Sequence, residues 1–557
     1  MNQPPKNKDI AILACFIALI TLQPFFLHHE IIMMETGIHL PALNALFRGE
    51  VPYRDFFFLR GPLDLYVPAV LMFFLGKTSA ALPLFYYLWT IATLLILLLI
   101  AKQFIRTRFI LYLFIPVLVA RTFPRVSYYY WGGMRYALGL LTVFFAVMFF
   151  KKQRPLWIYF AGVVAALSLL TTLEAGFCSF AAVVGALLFA LIFKIYDGKR
   201  FLKSLGYFCL GAFAVLLPYV IYLAATRSLI PLVDSNFTVV TKLMDTFRYE
   251  KGFYPATPLE FLFSLFPLHK FFKITTPVYC YAALGAYLFW RLKRKKGDGG
   301  ILSLVCLAAY GMILYFASFR MIQGHHFEMA LQPEKILLFF LAEEFYFFLK
   351  NSKFKKIKLK LLKKPLTVNI LGFFVIALIG SSLGYSIARY NHRFPVFKMA
   401  KNAFVGKQED LSLLAGEEKR PLRIERGKGM IVPSWQADEI EKITDFLKVN
   451  TRPDEKIFSF PEVGNFSFWA DRPFVGRFPI ATFSWMDERW ARELFRDLKA
   501  AKPKYVIMTH VGHRTFPAEW YFRNPKNIIH FKEVTDYILA HYNLKESFSS
   551  VGLYQLK

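Results

Sequence analysis

The sequence predicts a polytopic α-helical membrane protein of about 11 transmembrane helices with a C-terminal extracytoplasmic α/β domain. Three observations predict it: long apolar runs recur along the first 386 residues, basic residues fill alternate loops between them, and the pattern changes after residue 387. The composition agrees. Of 557 residues 56% are hydrophobic and 18% aromatic, with 62 Phe, and only 19% are charged. Mean hydropathy is +0.40. Soluble domains run at roughly 45–50% apolar and about 25% charged, so a soluble enzyme and a disordered chain are both excluded. The net charge of +30 suits nucleic acid or an anionic membrane surface. Here the basic residues sit between apolar runs, which selects the membrane and gives no role to nucleic acid.

A membrane helix needs about 20 mostly apolar residues. Eleven segments qualify: 10–28, 82–104, 108–121, 136–150, 156–173, 177–194, 205–225, 276–292, 300–319, 330–349 and 366–386. The first has no small-x-small cleavage site after it and reads as a span, not a cleaved signal. Lys and Arg resist translocation, and they cluster in alternate loops: Lys6 and Lys8, Lys102 to Arg108, Lys151 to Arg154, Lys194 to Lys203, Arg291 to Lys296, and Lys350 to Lys364. These loops share one side if the N-terminus is cytoplasmic. Segments 29–81, 226–275 and 387–557 are then the long outer ones. The Lys350–Lys364 cluster reads as a loop on anionic lipid. Glu343 and Glu344, inside the tenth span, call for burial against Lys or Arg or for a place near the inner surface. All five cysteines lie in apolar runs without paired spacing and read as packing residues.

The last outer segment divides the chain into a membrane domain, 1–386, and a soluble domain, 387–557. A loop-like charged stretch (400–435) opens it. Helical runs at 437–449, 487–501 and 532–542 alternate with strand-like runs at 456–460, 504–510 and 551–555, the pattern of a small α/β domain. Asn236-Phe-Thr and Asn465-Phe-Ser match the glycosylation sequon, a frequent chance match.

The first outer loop carries most of the chemistry. A short amphipathic helix over 41–48, with Leu43, Leu46 and Phe47 on its apolar side, is expected at the membrane surface. Gly49 ends it, and Pro52 follows. Gly61-Pro62 marks a turn, and 63–75 is an apolar stretch too short to span comfortably. The loop reads Glu35-Thr36-Gly37, then Gly49-Glu50-Val51-Pro52-Tyr53-Arg54-Asp55-Phe56, then Gly61-Pro62-Leu63 and Tyr66. It resembles the first outer loop of the GT-C superfamily of membrane glycosyltransferases, among them the bacterial proteins similar to dolichyl-phosphate-mannose–protein mannosyltransferases and the lipid A aminoarabinose transferase. Those enzymes carry Asp-Glu-Gly or Asp-x-Gly after the first helix, then Gly-x-x-Pro-Tyr-x-Asp-Phe and Pro-Leu. This chain departs in having Glu35 and Thr36. Thr172-Leu173-Glu174-Ala175-Gly176 resembles a Lys-x-Glu-x-Gly element without its lysine. Arg320-Met-Ile-Gln-Gly-His325-His326 resembles Arg-x-Asp-x-x-His, with Ile322 in place of the acid.

The resemblance implies a GT-C-type fold and transfer of a sugar from a polyprenyl-phosphate donor to an acceptor glycan, lipid or protein outside the cytoplasm, with inversion. The setting it implies is the bacterial inner membrane. It makes Glu35 the candidate base, against an ordinary solvated loop acid, since a carboxylate near the acceptor hydroxyl can take its proton. For the lipid phosphate the candidates are Arg320, His325, His326, Arg121, Arg125 and Arg135, because cations should meet the developing charge and Arg offers a planar fork. The alternative for each arginine is a snorkelling residue at a helix end. Glu174 is a further candidate, or a local cap. Asp55 either joins the site or holds the loop through Arg54 or Arg60. Tyr128-Tyr129-Tyr130-Trp131 suits a sugar face or an aromatic belt. His28, His29 and His39 with Glu30 or Glu35 have no recognised metal spacing. A divalent metal is compatible with the superfamily, but no residue here demands one. A flippase of lipid-linked glycans and an inactive lipid-sugar-binding relative are the other readings.

Overall fold

The computed structural model describes residues 4–21, 31–122, 133–247, 257–266, 269, 272–294, 298–318, 330–351, 418–509 and 524–557. The N-terminal part is helical: α1 (Asn7–Thr21), α2 (Met33–Phe47), α3 (Leu63–Leu75), α4 (Ala81–Phe104), α5 (Arg108–Thr122), α6 (Gly133–Lys152), α7 (Pro155–Leu169), α8 (Leu173–Ile192), α9 (Gly198–Ala225), α10 (Leu229–Phe247), the short α11 (Pro258–Phe263), α12 (Phe272–Arg294), α13 (Gly299–Ser318) and α14 (Gln332–Asn351). Ten of the expected apolar segments coincide with one of these helices. The eleventh, 366–386, lies outside the described residues, as does Lys353–Lys364.

Among the described residues five helices are long and apolar enough to cross a membrane: α4, α6, α8, α9 and α13. With them the chain is an integral membrane protein. Large side chains such as Phe213 and Ile221 on α9 stand 57% and 59% exposed, an outer surface that suits lipid and not water. Gly162 on α7 and Gly211 on α9 let the two helices touch, since a Cβ at either would overlap the other's backbone carbonyl, of Phe208 and Tyr159. Small residues at such crossings are how membrane helices gain packing. Glu343 on α14 is buried and accepts from the backbone N–H groups of Arg106 and Thr107 at 2.8 and 2.6 Å. Glu344 pairs with Arg106 at 2.8 Å. Cys178, Cys280 and Cys306 are buried as expected, whereas Cys15 and Cys209 are exposed, on outward faces of α1 and α9.

Three local expectations need correction. The helix expected over 41–48 is α2, which begins eight residues earlier, at Met33, and contains Pro41 in its interior. Proline favours a first turn, which is why Pro41 resembles a helix start. Here burial on nearly every side decides, since Met33 and all of Glu35 through Ala45 are buried and no amphipathic period remains to be read. The charged stretch 400–435 is not wholly loop-like either. Lys419–Pro421 (β1) pairs antiparallel with Ile431–Pro433 (β2) around a 3-10 turn at Glu425–Gly427. Finally, the helix expected over 532–542 begins at Pro525.

The C-terminal part continues with α15 (Ser434–Asn450), β3 (Phe458–Phe460), α16 (Asn465–Trp469), α17 (Glu488–Ala501), β4 (Tyr505–Thr509), α18 (Pro525–His541), β5 (Tyr542–Ser547) and β6 (Val551–Leu556). Its main sheet runs β3-β4-β6-β5, with β3 parallel to β4 and the other pairs antiparallel. Asp487 and Asn524 cap α17 and α18 by accepting from Trp490 and Lys526.

This part grips α2. The Asn44 amide donates to the carbonyls of Ser467 (3.0 Å) and Arg472 (3.2 Å) and accepts from Arg426 (2.7 Å). The Asn465 amide donates to the Met33 carbonyl at 2.9 Å. Gln436 exchanges two bonds with the Ile31 backbone, and Phe57 N–H donates to the Arg477 carbonyl at 2.7 Å. Buried polar groups left unpaired cost about 1–3 kcal/mol each, so these bonds fix α2 in one position. Asn465 is fully buried in this contact, which closes its sequon to modification.

Candidate active site

Glu35 lies in the first turn of α2, where the helix dipole favours a negative charge. Its side chain is 4% exposed. The following loop turns back under it. Tyr53 adopts a left-handed φ of 68° and its hydroxyl donates to the Arg60 carbonyl at 2.7 Å. Gly61 then docks on the turn between α7 and α8: its N–H donates to the Thr171 carbonyl at 2.8 Å, and a Cβ there would overlap the Leu170 carbonyl. Only glycine permits that approach.

This docking brings five buried polar side chains together. Arg60 Nη1 donates to Asp64 Oδ2 at 3.0 Å and to the Tyr86 hydroxyl at 2.6 Å. Its Nη2 lies 3.5 Å from Glu35 Oε2. His39, one turn after Glu35, places Nε2 3.0 Å from both Asp64 Oδ2 and the Tyr86 hydroxyl. Burial works against the ionised form of Asp64, but Arg60 and His39 outweigh it and hold the carboxyl well below the usual range. Burial pushes Glu35 up; Arg60 and Arg135 pull against it without cancelling it, and Asp64 adds to the rise. Burial likewise lowers His39, with Asp64 opposing, so the imidazole is neutral near pH 7. A carboxylate with a raised pKa beside fixed cations is able to accept a proton near neutral pH.

Above this set opens a cavity of about 1030 Å³. Glu35, Arg60, Arg135 and Glu174 supply its charged lining. Leu173 and Phe177 of α8, Leu216 and Val220 of α9, Leu232 and Val239 of α10 and Phe316 of α13 make most of the rest apolar. Trp485 of the C-terminal part closes one side. Nearby, Arg489 of α17 pairs with Asp234 of α10 at 2.7 Å, tying a helix of the cavity wall to that part.

Of the residues expected from the sequence, Glu35, Arg135 and Glu174 share this cavity. Asp55 does not line it. Its carboxylate accepts from Val51 N–H at 2.7 Å and from Nε and Nη2 of Arg54, each at 2.8 Å, so it shapes the loop. Arg54, not Arg60, is its partner. Arg125, Arg320, His325, His326, His28, His29 and Tyr128–Trp131 lie outside the described residues, as does the side chain of Arg121. Sequence reasoning missed the Arg60–Asp64–His39–Tyr86 set. One signal was present: Asp64 is a charge inside the apolar stretch 63–75, and a charge near the bilayer is a functional suspect. Among the described residues no group of three or more His, Cys, Asp and Glu side chains converges as metal ligands would. The cavity's carboxylates, Glu35 and Glu174, share it with two arginines, Arg60 and Arg135.

No protein-family model and no curated protein sequence matches the chain. Solved structures do. ArnT from Cupriavidus metallidurans, bound to undecaprenyl phosphate, is 10% identical with a TM-score of 0.51 over 99% of this chain and 98% of that one. The same protein in the apo state is 10% identical with a TM-score of 0.52, over 98% and 96% of the two chains. The Archaeoglobus fulgidus oligosaccharyltransferase, in complex with Zn and sulfate, is 10% identical with a TM-score of 0.45, over 97% of this chain and 72% of that one. At such identity the ArnT likeness is one of fold alone: the chain shares the fold of ArnT.

Proposed function

We propose that this protein is a membrane glycosyltransferase. It takes a sugar from a polyprenyl-phosphate donor and passes it, with inversion, to an acceptor hydroxyl on the extracytoplasmic side. The observation that carries this is the meeting of a buried carboxylate, Glu35, and two arginines, Arg60 and Arg135, in one large cavity with apolar walls. A lipid phosphate needs both cations and apolar surface. The crystal structure of ArnT with undecaprenyl phosphate supports the donor class.

In this reading the acceptor oxygen attacks the anomeric carbon as its proton passes to a Glu35 oxygen. The bond from that carbon to the phosphate oxygen breaks, and its electron pair leaves with the lipid phosphate. Arg135 meets the charge that develops there, together with cations of the expected set, Arg121, Arg125, Arg320, His325 and His326. Arg60 keeps Glu35 ionised and oriented. Glu174, at the start of α8 across the cavity, binds sugar or acceptor hydroxyls. The apolar walls of α8, α9 and α10 take the prenyl chain.

Purified protein given radiolabelled polyprenyl-phosphate sugars is expected to release free polyprenyl phosphate and label an acceptor. No turnover with any hexose or pentose donor, in protein that melts cooperatively, sinks the proposal. Sidedness has its own check. Cysteines placed at Arg54 and Arg452, exposed positions of the first outer loop and the C-terminal domain, are expected to react with an impermeant maleimide added to intact spheroplasts. Protection of both reverses the orientation.

A further inference from the structure

The helices that carry the Glu35 cavity hold a second one at their far ends, of about 540 Å³. On α6, Arg135 lines the first cavity and Lys151 the second. On α13, Phe316 lines the first and Gly300 the second. On α4, Tyr86 bonds Arg60 while Lys102 lines the second cavity. Each pair is separated by about 24 Å of helix at 1.5 Å per residue, close to the thickness of a bilayer's hydrocarbon core. The second cavity therefore opens at the opposite membrane face, where the basic loops gather.

Among the described residues its charged lining is cationic: Lys102, Arg106, Lys151 and Arg291. The two arginines are matched, Arg106 to Glu344 at 2.8 Å and Arg291 to Asp298 at 3.2 Å. The two lysines are not. Lys102 donates to the Asn7 side-chain oxygen at 2.9 Å, and Lys151 donates to the Gln103 carbonyl. Neither has a carboxylate partner among the described residues. Arg291 Nε is buried there without an acceptor, an unmet donor on the same wall. Glu343 does not compensate, because its oxygens are taken by the Arg106 and Thr107 N–H groups. Leu304 and Phe340 give the cavity an apolar wall. Surplus positive charge beside an apolar wall at the membrane surface is what an anionic headgroup with acyl chains requires.

We infer that this cavity binds the phosphate headgroup of an anionic glycerophospholipid, held by Lys102, Lys151 and Arg291. The site is separate from the proposed transfer site, and its occupancy is read without substrate, so either proposal can fail alone. The test is native mass spectrometry of the full-length protein, delipidated in detergent and titrated with phosphatidylglycerol, phosphatidylcholine or inorganic phosphate. Phosphatidylglycerol should bind in preference to both. Lys102→Gln alone is expected to weaken it about fivefold, and Lys102→Gln with Lys151→Gln on the order of 25-fold. Lys102→Arg with Lys151→Arg should retain it. Equal affinity for phosphatidylcholine, or unchanged binding in the single glutamine variant, overturns the inference. So does inorganic phosphate binding as tightly as phosphatidylglycerol, which would make this a site for free anions.

Discussion

Glu35→Gln is expected to lower kcat/KM for label transfer by about 10²–10⁴-fold, with the melting temperature unchanged or slightly raised. Glutamine keeps the shape of the side chain and its reach toward Arg60 but cannot accept a proton. Replacing the buried charge also removes a desolvation penalty, so any loss of activity belongs to chemistry and not to folding. The pH dependence sharpens this. Glu35 is raised by burial, with Arg60 and Arg135 opposing, and the base must be ionised to act. Transfer should therefore fall as pH drops through a value above the usual glutamate figure of about 4.3, and the residual activity of the glutamine variant should lack that limb. Undiminished turnover in the variant would remove Glu35 from the base role, whatever the fate of the cavity.

The residues that the sequence made visible share a property: their signal is local. An apolar run is legible because hydropathy needs no knowledge of neighbours. Glu35 and Glu174 were found through short patterns that surround them. Arg60, Asp64 and His39 were not, because their meeting depends on Gly61 touching the α7–α8 turn, more than a hundred residues away. The full length of α2 was hidden for a related reason. A helix buried both by the membrane helices and by the C-terminal part shows no stripe, and Pro41 at its middle suggests a start. The grip of that part on α2, through Asn44, Asn465 and Gln436, is likewise invisible in a linear reading, since each bond spans about four hundred residues. It gives the C-terminal part a structural purpose: it holds the helix from which Glu35 projects.

Asp64→Ala carries the largest expected cost to stability. It takes from the Arg60 guanidinium, with 9% of its side chain exposed, its carboxylate partner at 3.0 Å, and it strips His39 of its carboxylate. Removing one partner of a buried ion pair costs about 3–5 kcal/mol, a large part of the ~5–15 kcal/mol that keeps a protein folded. Thermal inactivation in detergent should move down by several degrees. Arg60→Met in the Asp64→Leu background should cost clearly less than the sum of the single changes, because it removes the stranded charge along with its partner. The acid side gives a sign to check. Folded Asp64 is held below the unfolded value of about 3.9. Its contribution is thus fully present above that pH and is lost as pH falls through the depressed folded value. The stability gap between wild type and Asp64→Asn should stay constant from pH 8 to about 5 and narrow only below about 4. A gap that is absent at pH 7, or that closes between pH 8 and 6, would mean that the Arg60–Asp64 pair does not hold the floor beneath Glu35.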